Sequence, residues 1–409
     1  MTVSLFILSA AVSSCSAGTK AGNDAGSNDS GSDGPATNGA WAQVVPMDGA
    51  SSQATTVTGF WFSSSSNGVV SFAEGLVEHF SAPTTIDAIA LDGSGKLPGP
   101  ADDSYYGFVP STSLGLVVRN SSAKSLVTSS NMGTSFTYAA SYGTLSGAPP
   151  TITLDFPLLW LGEDTSNKWH VAVGAGGGDV YSSPTAPGPS ATVTDTWHPM
   201  GTITVPATLP GTDCAAFVTN GYYSTQPGQV FAASTDSSSI VYSSGSSICR
   251  SSDGGKNFVD VSANITPTSF NATSTPWTYT FTSPTAGIGV YGSEADAAGT
   301  AYVLYTTDGG DNWTVGTLPP SAENMVSLIG TFAAPNGTLF IVGGGPSLVL
   351  YDSIDGGKTW TDLSTKLNAW ASTLDNPPLR LETGFALDAQ HIWVGGDSGF
   401  IAYTATGGQ

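Results

Sequence analysis

The chain has 409 residues, of which 51 are glycine and only 10% are charged. Glycine, serine and threonine favour turns and strands over helices, so this composition argues against a mainly helical protein. Ten Lys and Arg stand against 31 Asp and Glu, for a net charge of −21. Because so few cations cannot neutralise a phosphate backbone or anionic lipid heads, we expect no nucleic-acid partner and no membrane adhesion by charge.

The first 15 residues predict a signal for lipoprotein export. Leu5–Val12 is apolar but far shorter than the ~20 residues of a membrane-spanning helix, which is typical of a secretory signal. The following Val-Ser-Ser-Cys15 resembles a bacterial lipobox. The resemblance implies that Cys15 is acylated and becomes the new N-terminus, and that Ser16 directs sorting to the outer membrane. Since no Lys or Arg precedes the apolar run, an ordinary signal peptide with an incidental cysteine is the alternative.

Residues 16–38 contain no large apolar side chain. A segment rich in Gly, Ser and Asp cannot bury a core and is typical of a flexible tether. We therefore expect residues 39–409 to form the folded part, joined to a membrane only through the lipid on Cys15.

A short motif recurs along the folded part, with the pattern Ser/Thr-x-Asp-x-Gly-x-x-aromatic in three copies and Asn in the Asp position of a fourth. The residues at the three defining positions are Asn131, Asp253, Asp308 and Asp355; Gly133, Gly255, Gly310 and Gly357; and Phe136, Phe258, Trp313 and Trp360. An Asp or Asn can bind the amides of its own turn, and Gly can adopt positive φ. The motif resembles the Asp-box (BNR-type) repeat of sialidase-like and photosystem-assembly-factor-like β-propellers, which implies an all-β propeller.

Strand patterns around the motif predict seven units. They cover residues 57–91, 105–140, 156–197, 214–261, 279–315, 326–363 and 383–409. The last unit stops at Thr404–Gly408, before an aromatic residue and a fourth strand, and Ala40–Val45 offers both. We expect this N-terminal strand to complete the last blade, because ring closure removes exposed sheet edges. Residues 39–409 fit seven repeats of roughly 50 residues; six or eight blades are the alternatives.

The cysteines left after Cys15 are Cys214 and Cys249. Our strand assignment places them on the first and third strands of the fourth unit, ~9–10 Å apart, which exceeds the ~7 Å that a disulfide tolerates. A bridge would need Cys214 in the preceding loop, so free thiols and a disulfide both remain open. No metal-binding spacing of Cys or His is present, and we expect neither a cofactor nor a metal. Whether the acidic surface holds calcium is left open.

Catalysis has weak support in the sequence. Sialidases of similar fold use three arginines at one site, whereas this chain has only Arg119, Arg250 and Arg380, and Arg250 directly precedes a repeat. A glycoside hydrolase with two carboxylates at the propeller channel remains the alternative function. The acidic residues in or near loops are Asp102, Asp103, Asp155, Glu294, Asp296, Asp375 and Glu382, and no spacing singles out a pair.

The leading hypothesis is a monomeric binding or scaffolding module at the cell envelope, with a carbohydrate or protein ligand. Aromatic residues beside polar groups suit such ligands. We expect the candidates to lie in the loops that join one blade to the next; they are Tyr105, Tyr106, Trp277, Trp370 and Arg380. The resemblance to photosystem assembly factors adds a third possibility, assembly of a membrane complex, but those factors use a basic patch that this chain lacks.

Overall fold

The computed structural model describes residues 41–46, 56–72, 77–88, 105–109, 114–118, 125–129, 137–141, 158–163, 169–174, 180–183, 198–201, 229–233, 239–244, 247–252, 259–267, 275–292, 301–320, 327–374 and 378–408. From 105 to 233 it describes the backbone of the strands. The predicted signal, Cys15 and the tether lie outside the described residues. In the part of the chain that is described, no helix has the length and hydropathy to span a bilayer.

The described strands form seven sheets of four or five strands, in which consecutive strands pair antiparallel. The N-terminal segment forms β1 (Ala42–Gln43) and β2 (Val45–Pro46). The first sheet contains β3 (Val57–Ser64), β4 (Asn67–Phe72), β5 (Val77–Ala82) and β6 (Thr85–Ala88). The second contains β7 (Tyr105–Val109), β8 (Leu114–Val118), β9 (Ser125–Ser129) and β10 (Thr137–Ser141). The third contains β11 (Leu158–Glu163), β12 (Trp169–Gly174), β13 (Val180–Ser183) and β14 (His198–Gly201).

The fourth sheet contains β15 (Gln229–Ala233), β16 (Ile240–Ser244), β17 (Ser247–Ser251) and β18 (Val259–Asp260). The fifth contains β19 (Ile265–Thr266), β20 (Thr275–Phe281), β21 (Gly287–Gly292), β22 (Tyr302–Thr306) and β23 (Trp313–Val315). The sixth contains β24 (Ser327–Ala333), β25 (Leu339–Gly344), β26 (Val349–Ser353) and β27 (Thr361–Asp362), and is followed by helix α1 (Ser364–Ala371). The last contains β28 (Leu381–Ala386), β29 (Ile392–Gly396) and β30 (Ile401–Thr404), together with β1.

The sheets follow one another around a closed ring. One strand of each sheet contacts its counterpart in the next sheet, and the last of these contacts the first. These inner strands are β3, β7, β11, β15, β20, β24 and β28. Sheets arranged in this way around an axis lined by their inner strands form a β-propeller, so the all-β propeller predicted from the sequence is confirmed.

Apolar layers between neighbouring sheets hold the ring together. Strand β25 is buried along its whole length: Leu339 and Ile341 belong to the cluster shared with the fifth sheet, and Phe340 and Val342 to the cluster shared with the last sheet. A strand with both faces covered has a continuous apolar sequence rather than an alternating one. The middle strands of the sheets therefore carry most of the core.

Two repeat turns are described in full, Thr306–Trp313 and Ser353–Trp360. In the first, the Thr306 hydroxyl donates to Asp308 Oδ1 at 2.8 Å and accepts the Gly310 amide at 2.9 Å. Gly310 has φ of 92°, which other residues rarely adopt, and its carbonyl accepts the Trp313 indole N–H at 3.0 Å. Ser353, Asp355, Gly357 and Trp360 repeat these contacts. In the other two copies of the motif, the Asp or Asn, Gly and aromatic positions lie outside the described residues.

The two ends of the described chain complete a third such turn between them. Gly408 N donates to Thr404 Oγ1 at 3.2 Å, and Trp41 from the N-terminal segment is 2% exposed against Gly408. Ala42 pairs with Tyr403 in the register in which Thr314 pairs with Tyr305 in the fifth sheet. Trp41 therefore occupies the aromatic position of the last turn, and β1 completes the last sheet as predicted.

Short parallel pairings connect the last sheet to the first, the fourth to the fifth and the fifth to the sixth. After β1, β2 pairs parallel with β6 of the first sheet. After the fourth sheet, β19 pairs parallel with β23 of the fifth, and Thr317 bridges to Thr359 at the edge of the sixth. These crossings cover sheet edges that would otherwise expose unpaired backbone groups.

Helix α1 corrects the prediction made for Trp370. Leu363, Leu367, Trp370 and Ala371 lie on one face at helical spacing and are buried. The Trp370 ring is 2% exposed and lies 6.0 Å from the Phe400 ring of the last sheet. Since its side chain fills the space between the last two sheets, Trp370 is a core residue and not, as the sequence had predicted, an exposed residue of a joining loop.

The fourth sheet begins later than predicted. Its inner strand is Gln229–Ala233, whereas Cys214, which we had placed on that strand, lies outside the described residues. Cys249 lies on β17 and is disulfide-bonded; its partner lies outside the described residues.

We expect Trp41→Ala to lower the free energy of unfolding by about 3–5 kcal/mol, because it empties the buried aromatic position that joins the two chain ends. Urea unfolding followed by tryptophan fluorescence and circular dichroism would measure the loss. Trp41 Nε1 has no hydrogen-bond partner among the described residues, whereas Trp313 Nε1 has one. Trp41→Phe should therefore cost less than the matched control Trp313→Phe; an unchanged stability of Trp41→Ala would contradict this role.

Candidate functional site at the bulge ring

The carboxylates of the repeat turns are occupied by their own turns. Burial alone would raise the pKa of Asp355, but hydrogen bonds from the Thr359 hydroxyl and amide, the Ser353 hydroxyl and the Lys358 amide lower it to about 2. The pKa of Asp308 is likewise lowered, where bonds from Asn312 and Thr306 outweigh the effect of burial. Carboxylates saturated in this way stabilise turns and are poorly placed to transfer protons or bind a ligand.

A second feature lies at the opposite end of the sheets. In six of the seven described sheets, the pairing of the inner strand with its neighbour skips one residue near the start of the strand. The skipped residues are Thr58, Gly107, Leu159, Trp277, Ile329 and Glu382, and we call them the bulge ring. The inner strand of the fourth sheet pairs without a skip. Such β-bulges are frequent at the rims of closed sheets and beside active sites, because they redirect a side chain.

The bulges of the sixth and last sheets are in close contact. A Cβ on Gly330, the residue after Ile329, would lie 2.4 Å from the carbonyl oxygen of Glu382, so only glycine allows the sixth and last sheets this approach. Deeper along the strands, the Thr331 hydroxyl lies 2.6 Å from that of Thr280 and 3.3 Å from that of Thr278. The bulges therefore lie side by side around one end of the propeller axis.

The segment leading into β28 forms a polar cluster beside the ring. Asp397 Oδ1 accepts the amides of Leu379 at 3.0 Å and of Arg380 at 3.2 Å. Arg380 Nε lies 2.5 Å from Glu382 Oε1, with 45% of the Arg380 side chain and 15% of the Glu382 side chain exposed. Ser398, next to Asp397, has φ of 56°, a strained conformation for a residue other than glycine. Strain of this kind persists only where the surrounding contacts impose it.

Two of the residues that the sequence singled out for ligand binding lie in or beside the bulge ring. Trp277 belongs to the bulge ring, and Arg380 pairs with its member Glu382. Tyr105 and Tyr106 are the first residues of β7, directly before the bulge at Gly107. We had predicted these three aromatic residues in joining loops, but the structure places them on inner strands.

Of the acidic residues proposed as hydrolase candidates, Glu382 alone is described. Asp102, Asp103, Asp155, Glu294, Asp296 and Asp375 lie outside the described residues. Within the described ranges, no group of three His, Cys, Asp or Glu residues is arranged to hold a metal ion. The sequence analysis did not identify the ring itself, although a Gly at or after the bulge in several inner strands was a signal for it.

Comparisons of structure place this chain among β-propellers. No known protein family matches the sequence, and no curated protein does. The chain is similar to a YCF48 bound to D1 peptide, with a TM-score of 0.56, 13% identity, and coverage of 91% of this chain and 97% of that one. It is also similar to YCF48 from Cyanidioschyzon merolae, with a TM-score of 0.54, 12% identity, and coverage of 89% and 98%.

The structure is also similar to the GH74 xyloglucanase from Xanthomonas campestris, with a TM-score of 0.55, 16% identity, and coverage of 90% of this chain. This chain spans 53% of the length of that enzyme. At such low identities, the likeness to these structures establishes the propeller fold alone.

The lowered pKa of Asp355 predicts a specific pH dependence. Because its folded pKa of about 2 lies below the ~3.9 of an unfolded Asp, the carboxylate adds stability above about pH 4 that is lost as pH falls towards 2. Asp355→Asn should therefore lose less stability than the wild type between pH 4 and pH 2, as measured by urea unfolding at each pH. Asp308→Asn should likewise lose less stability than the wild type over this pH range, because the pKa of Asp308 is also lowered. Parallel curves for wild type and Asp355→Asn would count against this role of the carboxylate.

Proposed function

We propose that this chain is a seven-bladed Asp-box propeller that is anchored by lipid at Cys15 to the cell envelope, at the outer membrane, and binds a carbohydrate or protein partner through the bulge ring. The observation that carries the proposal is the bulge ring: six sheets use the same backbone device at one end of the axis, with a different residue in each. A rigid scaffold that presents unlike side chains at one level is suited to selective recognition.

Two further observations support a binding role over hydrolysis. One similar structure that this chain matches over nearly its whole length is a YCF48 bound to D1 peptide, whereas the chain spans about half of the similar xyloglucanase. Glu382, the acidic member of the ring, is paired with Arg380. Its Oε1 atom therefore contacts a neighbouring side chain instead of standing alone at the channel.

The hydrolase alternative keeps one supporting observation, the likeness to the GH74 enzyme. It requires a second carboxylate about 5–10 Å from the first. An assay for released reducing ends separates the two functions.

The binding role is tested with the full chain carrying Cys15→Ser, applied to a glycan array and an immobilised peptide array. We expect binding on one array, without released reducing ends. Trp277→Ala should weaken binding by about 2 kcal/mol or more, or roughly 30-fold, if Trp277 is an aromatic anchor of the interface. Ile354→Ser is the matched control, because Ile354 is 86% exposed in the repeat turn at the other end of its sheet.

Three outcomes would contradict this proposal. Released reducing ends would favour the hydrolase. Unchanged affinity in Trp277→Ala would indicate that the ligand binds elsewhere on the chain. Equal losses in Trp277→Ala and Ile354→Ser would indicate a general surface effect.

The lipid anchor is tested separately, by growing cells that express the chain with a radiolabelled fatty acid. We expect label in the wild-type chain, partition of that chain into detergent, and loss of both in Cys15→Ser, because acylation requires the cysteine thiol. A labelled Cys15→Ser chain, or an unlabelled wild type, would contradict lipidation at this residue.

A further inference from the structure

An exposed aliphatic side chain lies beside the bulge ring, in a segment that the fold holds rigid. Leu379 is 74% exposed, yet its amide and that of Arg380 are both fixed by Asp397 Oδ1. Arg380 also bridges to Gly344 of the sixth sheet, where a Cβ would lie 2.3 Å from Arg380 Cβ. Leu379 is thus exposed on a backbone fixed from both neighbouring sheets, which lowers the entropy lost when a partner buries it.

Three of the six residues of the bulge ring are large and apolar in sequence, namely Leu159, Trp277 and Ile329, while Thr58 and Gly107 are small. Its one charged member, Glu382, is neutralised by Arg380. Among the described residues beside the ring, the one guanidinium is that of Arg380, which is paired with Glu382. A phosphate, a sulfate or a sugar acid would also meet a chain whose net charge of −21 repels anions.

The inner strands add a requirement on the shape of the ligand. Each inner strand is the end strand of its sheet, so one edge of it lies at the axis. The backbone of an extended polypeptide can pair with the edge of a strand, whereas a helix has already used its own backbone groups. Arg380, with 45% of its side chain exposed, can donate to a main-chain carbonyl of the same segment.

From these observations we infer that the bulge ring and Leu379 bind an extended, apolar and non-acidic segment of a partner polypeptide. The inference rests on the proposed binding function and names the class of its ligand. Large apolar side chains of the segment bury Leu379 and Ile329. Its main chain pairs with an inner-strand edge and accepts a hydrogen bond from Arg380. A carbohydrate would gain little from Leu379, which offers no hydrogen bond.

A displayed library of random dodecapeptides, selected on the full chain with Cys15→Ser, tests this inference. We expect the selected peptides to be enriched in large apolar residues and poor in Asp and Glu. One selected peptide is then synthesised and titrated by calorimetry into each variant. The dissociation constant should rise at least tenfold in Leu379→Ser and in Ile329→Ser, and severalfold in Arg380→Gln. It should stay within twofold in the control Ile354→Ser, whose exposed aliphatic residue lies at the other end of the sheet.

Leu379 is exposed, so its substitution does not threaten folding, and the result bears on recognition alone. Acid-rich selected peptides, or an affinity within twofold of wild type in Leu379→Ser, would overturn the inference. Binding to glycans alone, lost in Trp277→Ala, would overturn it while leaving the proposed binding function intact. Peptide and glycan binding that is insensitive to Trp277→Ala, Ile329→Ser and Leu379→Ser would overturn both.

Discussion

A propeller built from separate sheets needs its first and last sheets to pack as tightly as any other pair. In this chain the Trp393 ring stacks on Phe62 with centroids 3.7 Å apart, and Gly395 lies against Val57, where a Cβ would clash at 2.5 Å. Trp41 and β1 then bind the N-terminal segment to the last sheet, and β2 binds it to the first. The positions of all the inner strands follow from this closure, because each strand is held between two neighbours.

The repeat turns and the residues beside them hold neighbouring sheets together elsewhere in the ring. Arg250, one residue before a repeat, donates to Gly309 O at 3.0 Å and pairs with Asp311 at 2.6 Å in the turn of the next sheet. After the repeat of the fourth sheet, Ser262 Oγ accepts the Ile248 amide, and after the repeat of the sixth sheet, Ser364 Oγ accepts the Leu350 amide. These hydroxyls satisfy ladder amides where the outer strand ends after two residues. The outer strands are therefore free to leave for the next sheet without exposing unpaired donors.

The sequence predicted those parts of the fold that local patterns carry. A Ser or Thr, an Asp and a Gly at fixed spacing define a turn by themselves, and Thr404–Gly408 without its aromatic residue pointed to Trp41. The bulges were not predictable in this way, because a single extra residue in a strand disturbs the alternation that identifies the strand. Thus Trp277 and Tyr105 were assigned to loops. Helix α1 was missed for a related reason: Leu363, Leu367 and Trp370 have helical spacing, but one short helix among strands gives little periodic signal.

The two ends of the sheets carry different kinds of information. At the end with the repeat turns, the same residue types recur because each turn must satisfy the same donors and acceptors, which leaves little freedom for a ligand. At the bulge ring the backbone repeats while the side chains differ, so the fold sets their positions without setting their identities. Because Ile329 is skipped in the pairing, another residue at this position changes the side chain at this level and leaves the ladder intact. A fold shared with peptide-bound and sugar-cleaving propellers therefore does not determine function; under our proposal, the residues of the ring do.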